Sequence, residues 1–125
     1  EAGRHPDEVF VLARVEILLA ATAQRAAEEL AALDGVQPWA VRPDRFRFVG
    51  TAAALASTLA DWARTGATDG FMVLPARVTA DLNHFVDIVV PALSQAGVFR
   101  RSYQGTTLRE HFGLSRPRNR YATGE

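Results

Sequence analysis

Apolar residues crowd the stretch Val9 to Ala20, "VFVLARVEILLA", without the spacing that a long amphipathic helix would show. Valine, isoleucine and leucine in so short a run predict a buried strand. From Thr22 the texture changes to "TAQRAAEELAALDG", with Ala26, Leu30 and Leu33 at helical intervals, Thr22 placed to cap the start and Gly35 to end it. A loop with two prolines follows. "RFRFV" then alternates arginine and phenylalanine before Gly50, the pattern of a half-buried strand. Thr51 caps the next helix, whose Leu55, Leu59 and Trp62 share a face, and Gly66 stops it. "GFMVLP" is an apolar strand closed by Pro75, and a last long helix is expected from Asp81. Pro91 would break that helix, so a kink or two helical pieces are predicted near Val89.

The order strand, helix, strand, helix, strand, helix has crossovers long enough to join parallel strands. It predicts an α/β fold with a three-stranded parallel sheet. Three strands cannot close a barrel, which takes eight strands and about 250 residues. The chain is therefore either a small open α/β sandwich or one part of something larger.

Composition narrows the chemistry. No apolar run reaches the roughly 20 residues of a membrane-spanning helix, and Arg14 and Glu16 interrupt the best candidate. The absence of cysteine removes disulfides and thiolate metal sites and favours a reducing cytoplasm. His5, His84 and His111 lie far apart and form no metal-ligand pair, so no metal site is expected. Fourteen basic residues, all arginine, balance fourteen acidic ones, which argues against nucleic acid as the main partner. The polar start "EAGRHPDEVF" is no signal peptide, and its lack of methionine suggests a piece of a larger or processed protein.

Four later segments are more specific: "VGT" (49–51), "GATDGF" (66–71), "HFVDIVVPALSQAGVFR" (84–100) and "YQGTTLREHFGLSRPRN" (103–119). In this order they resemble the C-terminal end of the luciferase-like flavin-dependent monooxygenases, in the nitrilotriacetate and dibenzothiophene-sulfone branch. "AGRHPDEVFVL" at the start resembles the same branch. The resemblance implies the last three βα units of a (β/α)8 TIM barrel within residues 1–97, followed by a docking tail with a short helix over residues 98–125. It further implies reduced FMN delivered by a separate flavin reductase, and insertion of one oxygen atom from O2 into a small organic substrate. The first five strands, which carry much of the flavin site in that family, are absent. So is the family's insertion between Gly35 and Phe46. The family's Gly-Thr-Pro stands here as Gly50-Thr51-Ala52, its asparagine after Asp-Gly-Phe as Met72, and its Gly-Gly as Thr79-Ala80.

The resemblance puts candidate site residues at strand C-terminal ends. Gly50, Thr51 and Met72 are the cofactor-facing candidates, and Met72, Leu74, Pro75 and Arg77 the substrate-pocket candidates; no catalytic residue is assigned. Each has a plainer reading. Gly50-Thr51 suits helix capping, Met72 and Leu74 suit a packed core, and an arginine on a loop is commonly only solvated. Alternation along the strand should point Met72 and Leu74 one way and Phe71 and Val73 towards the helices. His84 and His111 read as surface or docking residues, with no nucleophile to complete a triad.

In the tail, Thr107 and Glu110 match a capping box, Leu108 and Phe112 share a face and Gly113 can stop the turn. That pattern predicts a short helix clamping the C-terminus onto the fold. Arg116, Arg118 and Arg120 read as a basic, disordered end. A second function stands beside the monooxygenase: a non-catalytic half-barrel associating as a homo-oligomer, or with a missing N-terminal half, through unpaired sheet edges.

Overall fold

The structure is a computed structural model that describes Gly3, residues 9–36 and 46–119, and Tyr121. The two-proline loop, His5, Arg120 and most of the "AGRHPDEVFVL" segment lie outside the described residues. The elements alternate as the sequence predicts: β1 (Leu12–Leu19), α1 (Ala23–Val36), β2 (Phe46–Gly50), α2 (Ala52–Arg64), β3 (Gly70–Pro75) and a last helical stretch. That stretch begins at Val78, three residues before the expected Asp81, because Arg77 is its N-cap and Asp81 lies in the first turn. It runs as α3 (Val78–His84), a π turn (Phe85–Val89) and α4 (Val90–Gln95), and a short α5 (Leu108–His111) follows in the tail.

Pro91 explains the π turn. Proline has no N–H, and its ring would strike the carbonyl four residues back, at Asp87. The backbone widens instead, and the Val90 N–H bonds to the Phe85 carbonyl five residues earlier. The expected break is therefore absorbed without ending the helix.

All pairings in the sheet are parallel, in the order β2-β1-β3. β1 is central, and its last residues, from Val15 to Leu19, are buried as the apolar run predicts. Going from β1 to β2 and then to β3 reverses the direction of travel across the sheet. Right-handed crossovers then put successive helices on opposite faces. Accordingly, Leu18, Ala20 and Val49 pack with Ala26, Leu30 and Leu33 of α1. Val15, Ile17 and Leu19 pack on the other face with Leu55 and Leu59 of α2 and with Val89 and Leu93.

Strand alternation places Phe71 and Val73 against the α2 core, as expected. Trp62 of α2 meets Phe46 with ring centroids 4.8 Å apart and Phe71 at 6.2 Å, tying both outer strands to one helix. The N-terminal rim is tied by Asp69, whose carboxylate accepts the Val11 N–H at 2.7 Å and whose own N–H reaches the Val11 carbonyl at 3.0 Å. That suits the stabilising role expected of Asp69-Gly70, and a side chain at Gly70 would meet Leu12 at 2.9 Å.

One expectation is corrected. The tail helix forms with its full capping box, but α5 buries none of its residues, so it does not clamp the C-terminus onto this chain's own described body. Its apolar pair, Leu108 and Phe112, points into solvent.

Candidate functional site

The carboxyl ends of the strands meet on one rim. In an open parallel sheet this rim, where the winding direction reverses, forms the crevice in which ligands bind. Here it lies between the end of β1 and the loop after β3. Backbone bonds draw the strand ends together: the Ala20 N–H reaches the Gly50 carbonyl at 3.0 Å, and the Ala76 N–H reaches the Ile17 carbonyl at 2.8 Å.

A carboxylate sits in the crevice. Asp81 is fully buried. One of its oxygens accepts the Leu19 N–H at 2.9 Å, and the other accepts the Arg77 N–H at 2.7 Å. The Arg77 guanidinium returns to Asp81 at 2.6 Å, donates to the Leu19 carbonyl at 2.6 Å, and pairs with Glu29 of α1. The hydrogen bond to Asp81 raises the Arg77 pKa above its ordinary value, with partial burial opposing it and the charges of Asp81 and Glu29 adding to it. Glu29 also holds Arg25 at 2.9 Å. The result is a cross-tie among β1, α1 and α3.

Arg77 is therefore neither a free anion receptor nor merely solvated. Two carboxylates already compensate its charge. Asp81 and Glu29 were missed in the sequence. The arginine and aspartate four apart at a helix start were a usable signal for Asp81, whereas Glu29 comes close only through packing of α1.

Gly50 is buried at the end of β2, where an added side-chain carbon would press to 3.2 Å from the Phe48 ring. The Thr51 hydroxyl accepts the Ala54 N–H at 3.3 Å as the N-cap of α2. Pro75 pairs with Ile17 at the rim, and Leu74 lies half-buried opposite Glu16. Met72 is 51% exposed and pairs with Arg14, three residues back from the strand end. The geometry thus gathers Gly50, Thr51, Pro75 and Arg77 at the rim and separates Met72 from them. On the same face as Met72 and Leu74, Glu16 is buried and reaches Arg47 of β2 at 3.8 Å, a pair that only the register brings together.

No cluster of histidine, aspartate and glutamate able to hold a metal exists among the described residues. No described helix is long and apolar enough to cross a membrane. His84, between α3 and the π turn, has a buried Nδ1 without a hydrogen-bond partner among the described residues. His111 stacks on Tyr103 at 4.6 Å within the tail, far in sequence from the strand rim.

Comparison with known proteins finds similar monooxygenases. The chain is 53% identical over 75 residues to N-acetyl-S-(2-succino)cysteine monooxygenase of Bacillus subtilis, and 44% identical over 73 residues to nitrilotriacetate monooxygenase component A of Aminobacter aminovorans. Dibenzothiophene-sulfone monooxygenase of Rhodococcus erythropolis is also 44% identical, over 71 residues. The matched stretch is thus similar to part of the nitrilotriacetate and dibenzothiophene-sulfone monooxygenases. The chain's fold overlays 90% of its residues on the EDTA monooxygenase of Chelativorans sp. BNC1 with a TM-score of 0.69 at 28% identity, covering 38% of that chain. A riboflavin lyase, solved with modified FMN and riboflavin, shares the fold at a TM-score of 0.72 and 19% identity, over 87% of this chain and 36% of its own. The α/β class and parallel sheet agree with a partial (β/α)8 barrel, whereas the order β2-β1-β3 with helices on both faces departs from the sequential strands and single outer ring of helices of a closed one. No family model matches the chain. The matches take in 60% of this chain but only 17% of the Bacillus monooxygenase, and 58% and 16% for the Aminobacter protein. The chain thus spans only a minor share of the length of the curated relatives it matches.

The described residues do not by themselves fit an FMN. The Thr51 hydroxyl is committed to Ala54, the charge of Arg77 is compensated, and Met72 lies away from the rim. A flavin phosphate needs unspent N–H groups or cations, and a ring needs a walled cleft.

Proposed function

We propose that this chain supplies the C-terminal βα units of an FMN-dependent, two-component monooxygenase that inserts one atom of O2 into a small organic substrate. The observation that carries this reading is the 53% identity to a monooxygenase over most of the chain. A flavin reductase would deliver reduced FMN, as "component A" in a relative's name suggests. When bound, the flavin would supply the oxygen chemistry, and protein residues would orient it and exclude water. In this reading the catalytic body is residues 1–97, the tail is residues 98–125 and the protein is cytoplasmic. Gly50 and Thr51 shape the cofactor end of the crevice, Met72, Leu74 and Pro75 border the pocket, and Arg77 acts as the tie that holds its rim. The rest of the flavin site would come from further chain.

Titrating this chain alone with FMN, followed by flavin fluorescence, tests the division. Weak or no binding is expected, and submicromolar affinity would show that the site is complete here. The second reading, a non-catalytic half-barrel, is favoured by the exhausted donors at the rim. It predicts that joining the missing strands restores no flavin binding, whereas the first predicts that it does.

A further inference from the structure

The two faces of the sheet are held differently. On one, Val15, Ile17 and Leu19 meet Leu55 and Leu59 of α2, and Val89 and Leu93 close the core from the last helical stretch. On the other, the buried cluster is Leu18, Ala20 and Ala26, with Leu30, Leu33, Val49 and Ala76 partly buried around it. Among the described residues of α1, Ala26 alone is buried, whereas α2 buries Ala52, Leu55, Ala56, Leu59 and Ala60. Lifting α1 from the sheet therefore exposes far less apolar surface than lifting α2. These are contacts of the inner face of α1, and further chain outside the helix would leave them unchanged.

α1 does not need the sheet in order to be helical. Its five alanines favour the helical backbone. The Thr22 hydroxyl accepts the Arg25 N–H at 3.1 Å, and Arg25 pairs with Glu28 at 3.4 Å and Glu29 at 2.9 Å one turn on. A polar latch joins the helix to the rim, where Glu29 pairs with Arg77. Each member of that pair has a second partner. When they part, Glu29 keeps Arg25, and Arg77 keeps Asp81 and the Leu19 carbonyl, each at 2.6 Å. Opening the latch thus strands neither charge, which is what makes breaking a buried ion pair costly.

We propose that α1 is a cover that opens as one unit from the Leu18 and Ala20 face when Glu29 parts from Arg77, while the sheet, α2 and the last helical stretch stay in place. β1 and β3 remain clamped without it. Asp81 and Arg77 hold one end, and at the other Asp69 binds Val11 and the Thr68 hydroxyl accepts the Ala13 N–H at 3.1 Å. Opening bares the C-terminal part of the face that also carries Glu16 and Leu74, so α1 controls access to the rim crevice from that side. Sub-global openings of this kind occur in the elements with the fewest buried contacts. The inference does not depend on the flavin reading.

The sequence has no cysteine, so a single introduced thiol reports the opening. Ala20→Cys places it beneath α1, and Ala56→Cys places it on the buried face of α2, at positions 7% and 6% exposed. In native buffer a thiol reagent should modify Ala20→Cys in the full 125-residue chain at least about tenfold faster than Ala56→Cys, with both circular dichroism spectra as in wild type. Glu29→Gln or added salt should speed labelling of Ala20→Cys several-fold and leave Ala56→Cys unchanged, and salt should add little once Glu29→Gln is present. Arg25→Gln, which spares the latch, should not speed it. Equal labelling rates at the two positions would overturn the proposal, as would a rate at Ala20→Cys that Glu29→Gln leaves unchanged. If Ala20→Cys does not fold, Ala26→Cys on the inner face of α1 provides the same arm.

Discussion

Asp81 shows how one side chain can hold a rim together. Its two oxygens satisfy backbone N–H groups from two segments and a guanidinium that is itself partly buried. Removing it strands all of them, and breaking a buried pair from one side costs about 3 kcal/mol. Asp81→Ala should therefore lower the urea unfolding free energy by about that amount. Asp81→Asn, which keeps the acceptor for Leu19, should cost less. Glu110 illustrates the exposed counterpart. The Thr106 and Thr107 N–H groups hold its pKa below the ordinary 4.5. A group whose folded pKa is lowered stabilises fully above its unfolded value and loses that contribution as pH falls through the folded one. The protection factors of the Thr106 and Thr107 amides, relative to the intrinsic rate at each pH, should accordingly fall on acidification below pH 4.5 and be lower at neutral pH in Glu110→Gln. The Arg77 pKa is raised above its already high ordinary value, so the guanidinium of this tie should keep its charge across the physiological range.

At the scale of elements, local rules and packing part company. Thr22, Thr51 and Thr107 each cap a helix as read from the sequence. Thr107→Ala should cost about 1 kcal/mol of helix stability. Since α5 buries nothing on its own body, that loss should appear as faster exchange at Glu110 to Gly113 and leave the global unfolding of the body unchanged. Leu55→Ala lies in the core instead, at a fully buried position between sheet and helices. It should cost about 2 to 5 kcal/mol in the same urea experiment. Pro91 was legible as a breaker, but whether it kinked, ended or widened the helix depended on Val89 and Leu93 being held in the core on either side of it. Packing kept both in place, and the π turn took up the misfit.

For the molecule as a whole, the candidate rim is stable but chemically spent. Its donors and charges are engaged with each other, which supports weak FMN binding by the isolated chain and a need for further strands to wall a cleft. Met72 and Leu74 were read correctly as sharing a face, since alternation in a strand is local geometry. Their distance from Arg77 along that face, and the closeness of Glu29, were not legible. Both depend on how α1 lies over the sheet.

The sequence by itself determined the order of elements, the caps, the apolar strand run and the resemblance to monooxygenases, because these follow from patterns within a few residues or from the wording of short segments. Only the tertiary structure decided that β1 lies between β2 and β3, that α1 and α2 cover opposite faces, and that Arg77 is bound by Asp81 and Glu29. The physical reason is that strand neighbours and charge partners are chosen by long-range packing of whole helices, to which no short stretch of sequence corresponds. The same holds for the tail: its helix was written locally, and its exposure was settled by what the rest of the chain left uncovered.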